Sequence, residues 1–302
     1  MRIAKHTFVK FEPRPRERAV FVARLSYMSY DRASPEADSK LVERLYKLGH
    51  HSPFEFSSWF AEFMKTKELY RYLVEFCVES RGWELTWDNG TFYLSGNGRT
   101  LLDARGTAIG KELYSMAPPE WKRFLEGDGW NWGRLDMPFE DLDMSAPGVR
   151  LLWDDRAPAG FDWVHNRMTF FIGGITRVAT AQLTRHRTLS FLQQSFRYTS
   201  PTEDEFLHPP TLIESDLVRE AQDLVSTSHG LYRKLVSEGV PKEDARFYLP
   251  LGTTTRIIVG GSQRWLEHFV KVRSNLHAQW EIRQIAGEIE KILTERRKPY
   301  NL

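Results

Sequence analysis

Arg185, His186 and Arg187 are adjacent where a helical pattern ends, and Ser195 and Arg197 follow after seven intervening residues. Cations in the last turn of a helix stabilise the partial negative charge of its free carbonyl groups, so one such residue is usually only a cap. Three adjacent cations repel one another, and an anion relieves that repulsion by accepting paired hydrogen bonds from arginine. The residues therefore favour a site for a phosphate or pyrophosphate over a simple helix cap.

A second group of basic residues lies in the segment VKVRSNLHAQWEIR. Arg273 and His277 are four residues apart, so a helix that continues between them would place both on one side. A lone histidine at such a position is more often structural, and the residues alone leave that interpretation open. Arg246 and Arg264 add two guanidinium groups just upstream.

Other kinds of chemistry have little support. His50 and His51 are adjacent, and adjacent histidines seldom bind one ion, so no metal site is predicted. Neither a Gly-x-Ser-x-Gly nucleophile motif nor a Gly-x-Gly-x-x-Gly dinucleotide motif is present. Cys77 is the single cysteine, which excludes an intrachain disulfide and a zinc site built on paired cysteines.

Apolar periodicity and capping residues predict the elements that carry these side chains. Ser34 as N-cap, Pro35 at the first helical position and Gly49 as the stop predict a helix, which leaves residues 50–55 in a loop. The further predicted elements are a strand over 167–172 with a break at Gly173 and Gly174, a strand over 255–259, and helices over 175–187, 215–238, 264–274 and 276–296.

The composition is that of a soluble globular protein. The 302 residues are 41% hydrophobic and 27% charged, and no apolar run reaches the ~20 residues of a membrane span. The N-terminal segment has scattered charge and no apolar block of secretory length, so a cytoplasmic location is expected. A formal net charge of +2 means that any affinity for anions must come from local clusters.

Residues 64–162 differ in texture from the rest of the chain. They hold six of the ten tryptophans together with clusters of Gly, Asp and Pro, and they predict a loop-rich insertion with short elements such as a strand over 91–95. The whole chain, 1–302, is predicted to be one domain. The segments NGRTLL, from Asn97, and SQRWLE, from Ser262, are faintly alike, but no tandem repeat is predicted.

The segment RHRTLSFLQQSFRYT, which starts at Arg185, resembles the signature of the flavin-dependent thymidylate synthase family. HHSPFEF is similar to that family's early His-x-x-Pro-x-Glu element, GVPKEDARFYLPL to the segment after its long helix, and SNLHAQWEIR to its C-terminal block. The four segments occur in the family's order. This resemblance covers most of the chain outside residues 64–162.

The resemblance implies a fold, an activity and an assembly. The implied fold is mixed α/β (α+β), with a central, mostly antiparallel sheet flanked by long helices. The implied activity is reductive methylation of C5 of dUMP to dTMP, with FAD as cofactor, methylenetetrahydrofolate as carbon donor and NADPH as reductant, and without a cysteine nucleophile. The family's sites are shared between the subunits of a homotetramer.

The resemblance also implies roles for individual residues. Arg273 is implied beside the uracil carbonyl, where its charge would favour negative charge on the carbonyl oxygens. The residues implied in nucleotide binding are Gln182, Arg185, Gln193, Gln194, Ser195, Phe196, Arg197, Arg246 and Arg273, of which Arg185, Ser195 and Arg273 are also implied in catalysis. The residues implied in flavin binding are His50, Ser52, Glu55, Arg185, His186, Arg187, Thr188, Ser262, Arg264, His268, Val272 and His277.

Several positions depart from the residues common in the family, and they leave the choice between dUMP and UMP open. Phe196 replaces a small or polar residue, and Phe56 replaces a common histidine; the other departures are Leu192, Gln193, Ser262 and His268. A nucleic-acid binder that uses the Arg-His-Arg cluster is an alternative, but near-neutral charge and dispersed basic residues argue against it. An inactive scaffold is a third possibility, disfavoured because the basic residues are retained together.

Overall fold

The computed structural model describes residues 6–128, 146–201 and 205–297, and the strands in these ranges form two antiparallel four-stranded sheets. The first sheet has the strand order β1-β2-β4-β3, and the second has the order β5-β6-β8-β7. The strands are β1 (His6–Phe11), β2 (Ser58–Met64), β3 (Glu84–Asp88), β4 (Thr91–Asn97), β5 (Gly148–Asp155), β6 (Arg167–Thr176), β7 (Ser190–Gln193) and β8 (Thr254–Ser262).

Helices pack around both sheets, and none in the described part of the chain is long and apolar enough to cross a membrane. They are α1 (Pro15–Tyr27), α2 (Pro35–Lys47), α3 (Lys67–Glu79), α4 (Gly98–Ala104), α5 (Ala108–Met116), α6 (Pro119–Glu126), α7 (Arg177–Leu183), α8 (Pro210–Ile213), α9 (Val218–Ser237), α10 (Lys242–Ala245), α11 (Gln263–Arg273) and α12 (Trp280–Arg297). Single 3₁₀ turns occur at Tyr30–Arg32, Ser52–Phe56, Trp163–His165 and Arg246–Tyr248.

Each sheet has its own hydrophobic core. The first core packs β2 and β4 against α3, α5 and α6, with Trp59, Phe76 and Trp121 fully buried. The second core packs β6 and β8 against α7, α11 and α12. We call the part of the chain that contains the first sheet the first half and the part that contains the second sheet the second half. A smaller cluster joins Phe21 on α1 to Phe171 on β6, so the two halves are in apolar contact. The predicted mixed class with antiparallel strands is confirmed, and the strands are divided between two sheets.

Several predicted elements are confirmed close to their predicted bounds. Ser34 caps α2, because its Oγ accepts a hydrogen bond from the backbone N–H of Ala37 at 3.2 Å, and Gly49 follows the helix with φ +69°. The predicted strands at 91–95, 167–172 and 255–259 lie within β4, β6 and β8, and the predicted helices at 215–238 and 264–274 correspond to α9 and α11.

The prediction that residues 64–162 are loop-rich is wrong. This range contains α3 to α6, β3, β4 and β5, and Leu69, Leu73 and Phe76 bury one face of α3. Tryptophans and Gly-Asp clusters obscured that helical spacing in the sequence, and the EGDGWNWG segment lies largely outside the described residues. The assignment of residues 64–162 as an insertion within a single domain stays a prediction.

Two predicted helices are shorter than expected. The helix predicted over 175–187 is only α7, because β6 continues through a bulge between Ile172 and Ile175 and Gly174 has φ +68°. The last helix starts at Trp280 rather than at residue 276. Arg273 and His277 therefore do not lie on one continuous helix, as the separate predicted helices over 264–274 and 276–296 also indicated.

Candidate functional site

Arg273 and His186 form the best-defined polar contact among the predicted site residues. Arg273, at the last position of α11, donates from Nε to Nε2 of His186 at 2.9 Å and from one terminal nitrogen to the backbone oxygen of Gln182 at 3.3 Å. His186 in turn packs edge-to-face on Phe269, with ring centroids 5.0 Å apart. The half-buried guanidinium is thus fixed by α7 and α11 together.

His186 is neutral at physiological pH. Burial, followed by repulsion from Arg273 and His268, lowers the pKa of His186 to about 4. A neutral imidazole can accept on one ring nitrogen, and the Arg273 contact requires an acceptor at Nε2. The positive charge at this end of α7 therefore resides on arginine rather than on His186.

Arg185 and Arg187 flank His186 in the turn that follows α7, and both side chains are exposed. The backbone N–H of His186 donates to Leu183 and that of Arg187 to Arg185, so the turn is folded tightly. The cations predicted to sit at a helix terminus instead sit in a turn beyond it. We call Gln182, Arg185, His186, His268 and Arg273 the Arg273 cluster.

A second concentration of positive charge lies at the other end of α7. Arg177 is the first residue of that helix, and its guanidinium lies 5.6 Å from the ring centroid of Phe196. Arg197 forms a 2.5 Å ion pair with Glu243, and Nε of Arg246 donates to the backbone oxygen of Glu243 at 3.1 Å. Burial and then repulsion from Arg246 lower the pKa of Arg177.

This second group, which we call the Arg177 cluster, is not neutral by itself. Its members are Arg177, Ser195, Phe196, Arg197, Glu243 and Arg246. Three guanidinium charges less one carboxylate charge leave two positive charges uncompensated within it. A phosphate monoester carries about −1.5 to −2 charge near pH 7, which matches that excess.

The loop that carries Ser195 is anchored to the first half of the chain. The backbone N–H of Ser195 donates to the backbone oxygen of Ser26 at 2.9 Å, and the rings of Tyr198 and Tyr27 lie 5.3 Å apart. Thr199 closes the loop by donating through its N–H to the Ser195 oxygen at 2.9 Å. Helix α1, which the sequence patterns did not predict, therefore positions the predicted phosphate loop.

Gln193 and Gln194 differ in their surroundings. Gln193, at the end of β7, donates to the hydroxyl of Thr180 on α7 at 3.4 Å. Gln194 is 2% exposed, and its amide donates to Thr199 at 3.2 Å and accepts from Arg256 at 3.2 Å. Gln194 thus supports the loop from inside, and its contact with a nucleotide stays a prediction.

The structure places the predicted nucleotide residues at two ends of one helix. The Arg273 cluster follows α7 and the Arg177 cluster begins it, and a seven-residue helix is about 10 Å long. Gln193 and Thr180 lie between them. Within the described residues, the two clusters are therefore separate groups about one helix length apart.

The early histidine segment contacts the start of β7. Glu55, in the 3₁₀ turn Ser52–Phe56, accepts a hydrogen bond from Ser190, and burial raises the pKa of Glu55. Arg99 at the start of α4 pairs with Glu55 at 3.2 Å. Ser52 and Glu55 thus lie near the turn that carries Arg187 and Thr188, while His50 is exposed at the outer end of the segment.

The remaining predicted flavin residues lie on or after α11. Arg264 and His268 line a groove of about 530 Å³, together with Lys271, Glu267 and Glu290. Val272 and His277 are exposed, the latter in a turn in which Asn275 accepts from its N–H at 2.9 Å. Ser262 is the exception, since it is 1% exposed and donates to Glu84 at 2.6 Å.

Cys77 lies in the first core, far in sequence from either cluster, and burial raises its thiol pKa to about 12. A thiol with that pKa is not a thiolate at neutral pH, so Cys77 is unsuited to nucleophilic attack. Within residues 6–128, 146–201 and 205–297, no group of three or more His, Cys, Asp or Glu side chains could hold a metal ion.

Comparisons with known proteins show the family to which the chain belongs. The family profile described as "Thymidylate synthase complementing protein" matches residues 163–297, which include α7, β7, β8 and α11. The flavin-dependent thymidylate synthase of Geobacter sulfurreducens is 41% identical over 155 residues, which are 50% of this chain and 67% of that protein. The chain belongs to the flavin-dependent thymidylate synthase family.

Other members of the flavin-dependent thymidylate synthase family match over similar lengths. The enzyme of Sulfurisphaera tokodaii is 42% identical over 166 residues, 53% of this chain and 61% of the relative, and that of Saccharolobus solfataricus is 35% identical over 168 residues, 53% and 60%. The chain thus spans about two thirds or less of the length of these relatives. A crystal structure of the UMP/dUMP methylase PolB from Streptomyces cacaoi bound with 5-Br dUMP is 21% identical, covers 50% of this chain and 91% of that one, and has a TM-score of 0.42, too low to inform the comparison.

Two residues of the candidate site, Arg177 and Glu243, were not predicted from the sequence. An arginine at the first position of a helix opposes the helix dipole, which favours negative charge there. A bound anion would compensate this unfavourable placement. The sequence alone did not show it, because the predicted helix started at residue 175 and the structure places the start of α7 at Arg177. Glu243, the partner of Arg197, was missed because its ion pair joins distant segments.

Proposed function

We propose that this protein catalyses flavin-dependent reductive methylation of C5 of dUMP. Methylenetetrahydrofolate would supply the carbon, NADPH the reducing equivalents, and FAD, when bound, the hydride that completes the methyl group. Membership of the flavin-dependent thymidylate synthase family supports this reaction. The observation that carries the proposal is the half-buried Arg273, held by a neutral His186 beside the exposed Arg185 and Arg187.

Arg273 has the position and charge to stabilise an anion in a planar ring. Two of its five N–H donors contact His186 and Gln182 within the described residues, and the others can face a uracil carbonyl. A fixed guanidinium beside a uracil carbonyl stabilises negative charge on that oxygen without reorganising, and the electron-rich ring that results would favour attack of C5 on the one-carbon unit. The proton on C5 then leaves, and FAD, when bound, would supply the hydride.

The Arg177 cluster supplies the phosphate-binding part of the proposal. Its excess of two positive charges would attract the phosphate of a nucleoside monophosphate, and it would provide no such attraction for an uncharged nucleoside. The guanidinium of Arg177, close to Phe196, is desolvated on one side, which strengthens its interaction with an anion. Ser195 would add a hydroxyl donor from the loop anchored on Ser26.

The residues near the Arg273 cluster also fit a flavin dinucleotide. A pyrophosphate needs cationic or N–H donors, and Arg185, Arg187 and Arg264 are exposed enough to reach one. The 530 Å³ groove lined by Arg264 and His268 is within the size range of ligand pockets. Glu55 and Ser52 would contact the flavin from the opposite side of the Arg187 turn.

A second chain is needed to complete the site in this proposal. The two clusters lie at opposite ends of α7, and large exposed apolar side chains surround them: Phe247 is 81% exposed, Leu251 69% and Leu276 84%. Such residues beside polar ligand groups are typical of surfaces covered by a partner. A homotetramer with shared sites, as the family resemblance implies, would bring the Arg273 cluster of one chain against the Arg177 cluster of another.

The test is to purify the protein, record its visible spectrum with and without added FAD, and assay dUMP and UMP separately with methylenetetrahydrofolate and NADPH. We expect a flavin spectrum and conversion of dUMP to dTMP. Arg273→Ala should abolish turnover, while Arg32→Ala, which removes an 80% exposed arginine that belongs to neither cluster, should not. A protein that binds no flavin and methylates neither nucleotide would refute the proposal, and a preference for UMP would correct its substrate.

A further inference from the structure

The two sheets have the same topology and the same register. Their strand orders, β1-β2-β4-β3 and β5-β6-β8-β7, are identical when the strands are counted from each half's first strand. In the first sheet Ser58 pairs with Asn97, and in the second Arg167 pairs with Ser262. Ser58 and Arg167 start their strands, whereas Asn97 and Ser262 end theirs. Asn97 is followed directly by α4, and Ser262 is followed directly by α11.

The strands β3 and β7, which are third in sequence in their halves, also pair in the same register. Glu84 starts β3 and pairs with a residue two before the end of β4, Ser95. Ser190 starts β7 and pairs with a residue two before the end of β8, Gly260. Glu84 and Ser190 are therefore equivalent positions, as are Ser95 and Gly260.

Backbone hydrogen bonds outside the strands repeat as well. The N–H of Gly98, the first residue of α4, donates to the backbone oxygen of Ser57 at 3.0 Å. The N–H of Gln263, the first residue of α11, donates to the backbone oxygen of Asn166 at 2.7 Å. Ser57 and Asn166 each precede the second strand of their sheet. The faintly similar segments that start at Asn97 and Ser262 thus lie at equivalent strand-to-helix junctions.

One residue from each half contacts the sheet of the other half, and the two residues occupy equivalent positions. His165, just before β6, reaches into the first sheet, where its ring nitrogens contact the hydroxyls of Thr86 at 2.7 Å and Ser95 at 2.9 Å. Phe56 holds the same position before β2, and it packs against the second sheet beside Gly260 and Leu192.

The exchange is reciprocal at each position. Gly260 is the counterpart of Ser95, and Leu192 and Thr86 each stand two residues after the start of their strand. Reciprocal contacts between equivalent residues are what a two-fold axis between identical subunits produces. The two halves therefore face each other as two subunits of a dimer would.

The halves differ where the two arginine clusters lie. Arg185 and His186 stand five and four residues before Ser190, and the equivalent residues before Glu84 are Glu79 and Ser80. The first half therefore carries an acid and a buried hydroxyl in place of two of the three signature residues.

The segment that binds phosphate in our proposal has no counterpart in the first half. β3 and β4 are joined by the two-residue turn Asn89–Gly90, whose φ values are +42° and +87°. The corresponding connection from β7 to β8 holds Ser195, Arg197, α9 and Arg246. Beside the turn, the first half has an apolar groove of about 560 Å³ lined by Val74, Trp87 and other apolar side chains.

We propose that residues 6–128 and 146–297 contain two copies of one folding unit, that the first copy takes the place of a partner subunit against the second, and that only the second copy binds a nucleoside monophosphate. Each chain then carries one nucleotide site for two units. This inference rests on the proposed function for the identity of the ligand. The equivalence of the two halves rests on strand register and contacts alone.

The test is equilibrium dialysis of the full-length protein with dUMP in the presence of FAD, and the measured quantity is dUMP bound per chain at saturation. We expect one equivalent. Two matched substitutions test corresponding positions of the two copies. Arg185→Glu gives the second copy the residue of the first and should weaken dUMP binding at least tenfold. Glu79→Arg, at an exposed position of the first copy, should leave one dUMP bound per chain with unchanged affinity.

Two equivalents per chain, or a second equivalent created by Glu79→Arg, would overturn the inference, because the first copy would then bind nucleotide. Half an equivalent would overturn it as well, since two chains would then share a single site. Absence of dUMP binding at any concentration would instead refute the proposed function, and with it the assignment of the second copy as the nucleotide-binding unit.

Discussion

Arg273 donates from Nε to Nε2 of His186 across 2.9 Å, and this contact joins the end of α11 to the turn after α7. A hydrogen bond to a charged group is worth about 1.5–3 kcal/mol, so its loss should free the guanidinium and lower kcat about 10- to 100-fold. We expect this loss in His186→Phe, with partial recovery in His186→Gln, whose amide oxygen can accept from Arg273.

The dUMP KM should change much less than kcat in His186→Phe, because the phosphate is proposed to bind at the Arg177 cluster. Circular dichroism and thermal unfolding would show that the variant is folded. A His186→Phe enzyme with the wild-type kcat would show that Arg273 needs no such anchor.

Arg177→Ala should weaken the binding of dUMP far more than that of deoxyuridine. The substitution removes one of three guanidinium groups that we propose to hold the phosphate, and a charge-assisted contact of this kind is worth about 10- to 100-fold in affinity. Calorimetric titration with both ligands measures the difference, and Arg32→Ala is the control for a lost surface charge. Equal losses for dUMP and deoxyuridine would show that Arg177 acts through the fold of α7.

Glu243→Gln should act in the opposite direction. Glu243 pairs with Arg197 at 2.5 Å, and removal of its charge raises the excess positive charge of the cluster from two to three. Since both partners are exposed to solvent, we expect a modest tightening of dUMP binding, about two- to fivefold at low salt, that fades as salt rises. Weaker dUMP binding at all salt concentrations would mean that Glu243 positions Arg197 more than it neutralises it.

Those parts of the candidate site that are local along the chain could be proposed from the sequence. The segment from Arg185 to Arg197 was predicted to bind an anion because adjacent cations repel one another, and that role stays a prediction. The contact between Arg273 and His186 could not be predicted, because it depends on where α7 and α11 end. Beyond α11, Oδ1 of Asn275 accepts a hydrogen bond from the N–H of His277 in an Asx turn, so the chain does not continue as a helix from Arg273 to His277.

The fold class was predicted from the family resemblance, but many individual elements could not be predicted from the sequence. Strands such as β3 and β5 carry mixed side chains, and the burial of Glu84 at the start of β3 depends on partners in the other half, Ser262 and Arg264. Non-local pairing of this kind leaves no periodic signal in the sequence. The common topology of the two halves was missed for the same reason, because it shows in strand order and register and not in the pattern of side chains.

The stability of the fold should depend on pH through His165. Burial lowers the pKa of His165 to about 4, below the ordinary value of 6.5, so the unfolded chain binds a proton that the folded chain does not. The unfolding free energy should therefore fall as the pH drops from about 6.5 to 4, by up to roughly 3 kcal/mol. His165→Gln, which keeps a donor and an acceptor for Thr86 and Ser95, should flatten this dependence.

Glu12 titrates in the same range with the opposite sign, since burial raises its pKa to about 7 and favours folding at low pH. The difference between the urea unfolding curves of the wild type and His165→Gln removes that contribution. The variant should lose less stability than the wild type between pH 7 and 4.5. Parallel pH profiles for the two proteins would contradict the assignment of a neutral His165.

Assembly should depend on the exposed face of α9. Leu217, the N-cap residue of α9, and Leu224 and Leu231 within it recur every seven residues and are 57%, 71% and 42% exposed. Such a stripe is typical of a helix that packs against another chain. The double change Leu224→Glu and Leu231→Glu should place two charges in that contact, so sedimentation velocity should show fewer chains per particle. Because the site is proposed to be completed by a second chain, dUMP turnover should fall with the assembly, while Gln222→Glu on the same helix changes neither. A doubly substituted protein that keeps both its sedimentation coefficient and its activity would show that chains meet elsewhere.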